Sequence, residues 1–140
     1  MKFLDRLHPL ALLALRLVLG AIMIAHGAQK IFGGMPHFMG MLQSMGIPPI
    51  MAYLVVTAEF IGGILLIVGL LTRLAALFIF VDMLVAVSKV HLKNGLKGPG
   101  GYEFPMICGI VAFALIFLGA GPISLDEAFF RGVSGGGSRK

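Results

Sequence analysis

Apolar residues in this chain come in unbroken runs rather than alternating with polar ones. Four such runs, over roughly 10–32, 50–71, 74–92 and 104–121, each approach the ~20 residues that cross ~30 Å of hydrocarbon as a helix. A lipid environment admits only helices or closed barrels, because every backbone N–H and C=O needs an internal partner. Barrel strands are ~10 residues long and alternate in polarity, which these runs do not. The pattern predicts an all-α fold, an integral membrane four-helix bundle with antiparallel neighbours joined by short links.

The links carry their own signals. The first, 33–49, contains glycine, several methionines and the tandem Pro48-Pro49. Residues 38–45 predict a short interfacial or re-entrant helix, which the prolines stop before the second span starts. The second link is a tight turn around Leu71-Thr72-Arg73, and the third, 93–101, is basic, glycine-rich and expected to be mobile. After Gly121-Pro122, the segment Ser124-Leu125-Asp126-Glu127 reads as a helix N-cap followed by first-turn acids, predicting a surface helix through Phe130. Residues 1–130 form one four-span domain in this reading, and 131–140 a flexible tail. Small residues at i, i+4 (Ala21/Ala25 and Ala58/Gly62), with Gly63 and Gly69 nearby, are the expected helix-packing points.

Composition agrees with the pattern. Of 140 residues 59% are hydrophobic and 12% charged, with mean hydropathy +1.02, against about 25% charged in soluble domains. The net charge of +5 is scattered at span ends, where Lys and Arg meet headgroups, and forms no stripe for nucleic acid. The N-terminal Lys2 and Arg6 resemble a signal peptide, but the apolar run is too long, is interrupted by Arg16 and lacks a cleavage site, so it reads as an uncleaved first span. Lys2, Arg6, Arg73, Arg131, Arg139 and Lys140 share one side, against Lys30, Lys89, Lys93 and Lys97 on the other. That asymmetry predicts a multi-pass protein of the cell (inner) membrane with cytoplasmic termini. Without the tail's Arg139 and Lys140 the two sides tie.

The informative residues are ionisable ones inside the runs: Arg16, Lys30 and Lys89, with Glu59, Asp82 and Glu103. Each costs at least about 2.5–3.5 kcal/mol deep in a bilayer, so they must face inward and find partners. Counting depth and angle along each helix puts Arg16, His26, Lys30, Glu59, Asp82 and Glu103 on one inward seam, with Arg16 level with Asp82 as its natural ion-pair partner. His91 falls opposite Asp82. The seam has two readings: a compensated network that only orients four helices, or a polar cavity that binds a small ligand or relays protons. His26 is the member able to change charge near neutral pH. The single cysteine, Cys108, excludes an internal disulfide and a CxxC redox pair and reads as packing. Met35, Met39, Met41, Met45 and Met51 with His37 admit a copper(I) reading, against the plainer one of interfacial filler.

Arg16-Leu17-x-x-Gly20 and His26-Gly27-x-x-Lys30 mark the first span, followed by Glu59-x-x-Gly62-Gly63 and the Gly69-Leu70-x-x-Arg73 turn. Asp82 comes next, then Gly101-Tyr102-Glu103-Phe104-Pro105 and Gly119-x-Gly121-Pro122-x-Ser124-Leu125-Asp126. In this order and spacing, over 16–126, the chain resembles the DoxX family of membrane proteins. The resemblance implies a four-helix membrane bundle. The family's name-giving members are small subunits of thiosulfate:quinone oxidoreductase, and other relatives serve thiol and oxidative-stress homeostasis within membrane complexes. It implies a redox-linked subunit, an oxidoreductase component associated with quinone and working with a redox partner protein. Nothing in these residues points to thiosulfate itself, and no haem, flavin or metal motif is present, so electrons would come from a partner or substrate. Other readings of the same residues are a transporter for a small molecule or protons, most naturally a homodimer, and a non-catalytic assembly subunit in the lipid bilayer.

Overall fold

A computed structural model describes residues 2–134. Its helices are α1 (Lys2–Asp5), α2 (His8–Gly33), α3 (Met35–Ser44), α4 (Met51–Val68), α5 (Thr72–Val85), α6 (Glu103–Leu118) and α7 (Leu125–Ser134), with no strand among the described residues. Helix α5 continues without a break through a π-helical turn, Ala86–His91, and a 3-10 turn, Leu92–Asn94. Helices α2, α4 and the continuous stretch Thr72–Asn94 are long and apolar enough to cross a bilayer, and α6 is a shorter apolar helix of 16 residues. The protein is therefore an all-α membrane bundle whose four long apolar helices follow the four runs.

Consecutive spans lie antiparallel. Helix α2 packs along α4 and α5 along α6, while contacts of α4 with α5 and of α2 with α6 close the bundle. Its core holds Leu19, Met23, Leu66, Ile79, Ala112 and Leu115, all almost fully buried. Outside, Val18, Phe32, Leu54, Phe78, Ile107 and Phe117 are exposed apolar side chains. Such a surface is unstable in water and at home in hydrocarbon.

Glycines on different helices allow a close approach of α2 and α4. A Cβ added to Gly20 would lie 2.7 Å from the Gly63 carbonyl oxygen, and one added to Gly63 would lie 2.7 Å from that of Gly20. Further along, a Cβ at Gly27 would lie 2.8 Å from the Phe60 backbone nitrogen. The i, i+4 spacing predicts Ala21 and Ala25 at a contact, but both are exposed, and Gly20 and Gly27, on the adjacent face, take that role. Gly63→Val is expected to separate α2 from α4 and lose about 1–3 kcal/mol, as overpacked sites do. A thermal melt in detergent matching the wild type would refute this.

Helix α4 ends in a left-handed glycine cap. Gly69 has φ +70, with its N–H donating to the Leu66 carbonyl and the Leu70 N–H to that of Leu65. Leu71 follows at φ +49, a costly conformation for a side-chain-bearing residue. Helix α6 stops at Leu118 instead of reaching residue 121, because Gly119 and Gly121 turn the chain at φ +75 just before Pro122. At ~1.5 Å per residue it is about 24 Å long.

The short helix expected at 38–45 exists as α3. It packs Phe38 and Leu42 against Ala52 and Val56 of α4, supported by Met35, Met39 and Met45. Those three methionines are filler for this cluster, which favours the packing reading over a copper site. The third link is tied by hydrogen bonds: the N–H groups of Tyr102 and Glu103 donate to Gly95 and Leu96, and the Gly100 carbonyl lies 2.7 Å from His91 Nδ1 and 2.9 Å from Asn94 Nδ2. Ser124 Oγ accepts from the Glu127 N–H, as an N-cap should, and an Arg131–Glu127 ion pair follows on α7. This helix runs to Ser134, past the expected end at Phe130; the remainder of the expected tail, 135–140, lies outside the described residues.

Candidate functional site

The seam predicted from the sequence divides into two separate polar sites. The first is a knot at the end of the bundle that holds the termini. The Arg16 side chain, 1% exposed, reaches across from α2 and makes four hydrogen bonds, all to backbone carbonyls. Nε donates to Leu66 (2.9 Å) and Nη2 to Ile67 (3.1 Å), both in the last turn of α4, while Nη1 donates to Ala120 (2.6 Å) and Ile123 (2.7 Å) beyond α6. The last carbonyls of a helix lack intrahelical donors and carry the negative end of its dipole. One planar guanidinium with its fork of N–H groups answers both needs. The nearest compensating carboxylate is Asp126 on α7. Asp126 itself accepts from the backbone N–H groups of Leu71 (2.7 Å) and Thr72 (2.9 Å), and so caps α5.

The expected Arg16–Asp82 pair is therefore incorrect. Arg16 is occupied by carbonyls at the terminal end, whereas Asp82 lies within electrostatic reach of Glu59 and Lys30. Depth counted from the ends of the apolar runs made the two level, but the partners that hold Arg16 are backbone groups without a side-chain signature. Arg16 consequently leaves the candidate ligand site and becomes a positioning residue for the fold.

The second site lies towards the opposite end. Lys30 Nζ lies 2.5 Å from Glu59 Oε1 and 4.7 Å from the centroid of the Phe38 ring, a cation–π contact supplied by α3. Glu59 is 3% exposed. Its second oxygen, Oε2, and Asp82 Oδ2 are both buried with no donor beside them, and the two carboxyls lie close enough that a proton on either would bridge them. One ammonium cannot satisfy two carboxylates, and an acceptor left unpaired in the interior costs about 1–3 kcal/mol or more. The arrangement calls for a proton or a donor from a further molecule.

These groups border a cavity of 410 Å³ enclosed by α2, α3, α4, the third span and the start of α6. His26, Lys30, Glu59, Asp82 and Glu103 all line it, five of the six residues that the sequence places on one seam. His26 and Glu103 are on the exposed rim, with the His26 ring stacked on Phe104 at 5.5 Å. Lys89, the remaining intramembrane cation, is exposed and does not line the cavity. Sequence reasoning missed three parts of the wall: Phe38, the loop glycines Gly98 to Gly101, and the π-helical turn with Ala86, Val90 and His91. Single π turns inside helices are frequent at functional sites. Here the turn brings His91, expected on the far face, into the cavity wall.

Fold and cavity define an integral membrane helical bundle with a buried carboxylate–lysine cluster near one end. The DoxX family model matches residues 11–92, more than half of the chain, and the chain belongs to that family. It is 32% identical over 124 residues to the Bacillus subtilis protein named "Putative oxidoreductase CatD", covering 89% of this chain and 90% of that one. An uncharacterized Haemophilus influenzae protein is 33% identical over 94% of this chain and 99% of its own length. An uncharacterized membrane protein of Mycobacterium tuberculosis is 27% identical over 94% and 88%. No solved structure matches the chain.

Proposed function

We propose that this protein is a redox-linked membrane subunit that binds a quinone in the cavity beside Lys30, Glu59 and Asp82. The observation that carries the reading is the pair of buried oxygens without partners, Glu59 Oε2 and Asp82 Oδ2, next to a lysine at the wall of a mainly apolar cavity. A quinone head suits such a place: a flat apolar ring with polar groups at its edge, held by a few donors and acceptors. The residues present fit it. Lys30 would donate to a ring oxygen, and Glu59 and Asp82 would accept from ring hydroxyls. When bound, a quinone supplies two-electron, two-proton redox chemistry. The chain's part is to hold the head, exclude bulk water, and give protons a place to rest at Glu59 and Asp82, with His26 and Glu103 at the mouth. The oxidoreductase in one relative's name accords with this role.

Binding is favoured over transport because the cavity does not continue through the bundle. Leu19, Met23, Leu66, Ile79 and Leu115, none more than 2% exposed, fill the half towards the termini. In the inner membrane with cytoplasmic termini, the cavity lies towards the outer face, and electrons reach it from a redox partner protein or from the substrate. The test is quinone extraction and native mass spectrometry of gently purified protein. Wild type should carry quinone, and Glu59→Gln should lose at least about tenfold of it, equivalent to ~1.4 kcal/mol. A well-folded variant with undiminished quinone, or a wild type carrying none, would overturn the reading.

A further inference from the structure

A second hollow, of 490 Å³, lies between α4 and α5. Its walls are Leu54, Ala58 and Ile61 on one side and Leu74, Phe78 and Val81 on the other. All of these except Ala58 are exposed apolar side chains, so the groove faces the hydrocarbon. Among its lining residues only Thr57 and Asp82 are polar. From Leu54 to Leu65 it follows α4 for about 16 Å at ~1.5 Å per residue. It also joins the polar cavity, because Leu42, Ile47, Val55, Asp82 and Val85 line both.

Resting on the quinone reading, we infer that this groove is the tail subsite and lateral entrance for an isoprenoid quinol. The head passes Asp82 from the membrane side into the cavity, and the tail stays between α4 and α5. Two features choose this occupant. With both carboxyls ionised, the unpartnered oxygens Glu59 Oε2 and Asp82 Oδ2 are acceptors, and a head with hydroxyl donors answers them, which the reduced ring has and the oxidised ring lacks. A phospholipid whose head entered the cavity would place an anionic phosphate beside two carboxylates sharing one lysine, an unfavourable arrangement. Apart from Thr57 and Asp82, the groove offers apolar contact along its length, as a hydrocarbon chain requires.

The test uses full-length protein in nanodiscs under reducing, anaerobic conditions. Two probes share one head: menaquinol with a geranylgeranyl tail, and tail-less menadiol. Both affinities are expressed as mole fraction within the disc, so that partitioning into lipid does not count as binding. Wild type should bind the tailed quinol at least about tenfold more tightly, ~1.4 kcal/mol. Ala58→Trp should fill the groove and reduce the tailed probe to the equilibrium affinity of menadiol, slowing the entry of menadiol without changing its equilibrium affinity. Ala58→Leu, a smaller filling, should give an intermediate loss, and a thermal melt establishes that each variant is folded. No tail advantage in wild type, or an advantage that survives Ala58→Trp in folded protein, would overturn the tail subsite while leaving the cavity reading in place. Failure of wild type to bind either probe would overturn both.

Discussion

Replacing Arg16 with methionine should remove about 3–5 kcal/mol of stability, the scale for breaking a buried charged network. The variant keeps the length of the side chain and loses every donor. Carbonyls of Leu66, Ile67, Ala120 and Ile123 then face a dry interior without the guanidinium, and Asp126 loses its compensating charge. Arg16→Lys should recover only part of the loss. An ammonium has three donors on a flexible stem and cannot fork to carbonyls on two sides. The gap at Gly69 shows how closely the knot is fitted: a Cβ there would lie 2.5 Å from Arg16 Nη2. Unfolding in graded denaturing detergent measures both variants. Arg16→Met with a midpoint equal to wild type would show that the knot contributes nothing.

The second large effect is expected at the other site. Lys30→Met should destabilise by about 2–3 kcal/mol, below the ~3–5 of a fully buried pair, because the lysine side chain keeps 23% exposure. The defect comes less from the lost attraction than from Glu59 and Asp82 left side by side without a cation. Glu59→Gln on the Lys30→Met background should therefore restore most of the loss, although each single change is unfavourable. Such a non-additive cycle is the signature of groups sharing one interaction. Additive effects would mean that Lys30 acts mainly through its contact with Phe38.

The two predictions concern residues that the sequence placed on one seam and the structure places apart. Spans, antiparallel order and the inward face were legible because hydrophobic runs and helical spacing report which side of a helix avoids lipid. Lys30, Glu59 and Asp82 could be grouped for the same reason: ionised groups inside apolar runs have few alternatives to one another. Arg16 was misassigned because its partners are carbonyls, and every residue has one. The π-helical turn left no trace in the pattern, since it shifts His91 by backbone winding rather than by residue type. The Gly20–Gly63 contact was hidden because spacing within one helix does not report which residue of another helix it meets.

The length of α6 has a consequence for the lipid around it. About 24 Å of helix faces ~30 Å of hydrocarbon, whereas α2, at 26 residues, exceeds that thickness. Such a mismatch is met by thinning of the bilayer on the α6 flank and by tilt of the longer helix on the α2 flank, among other responses, with a cost of fractions of a kcal/mol per Å. Where the thinning falls at the end that Glu103 and Phe104 open, headgroups and water dip towards the rim of the cavity. A membrane thinned there forms a shallow funnel over the site. Lipids with shorter chains should gather on that flank, and a thicker bilayer should withdraw water from the cavity mouth.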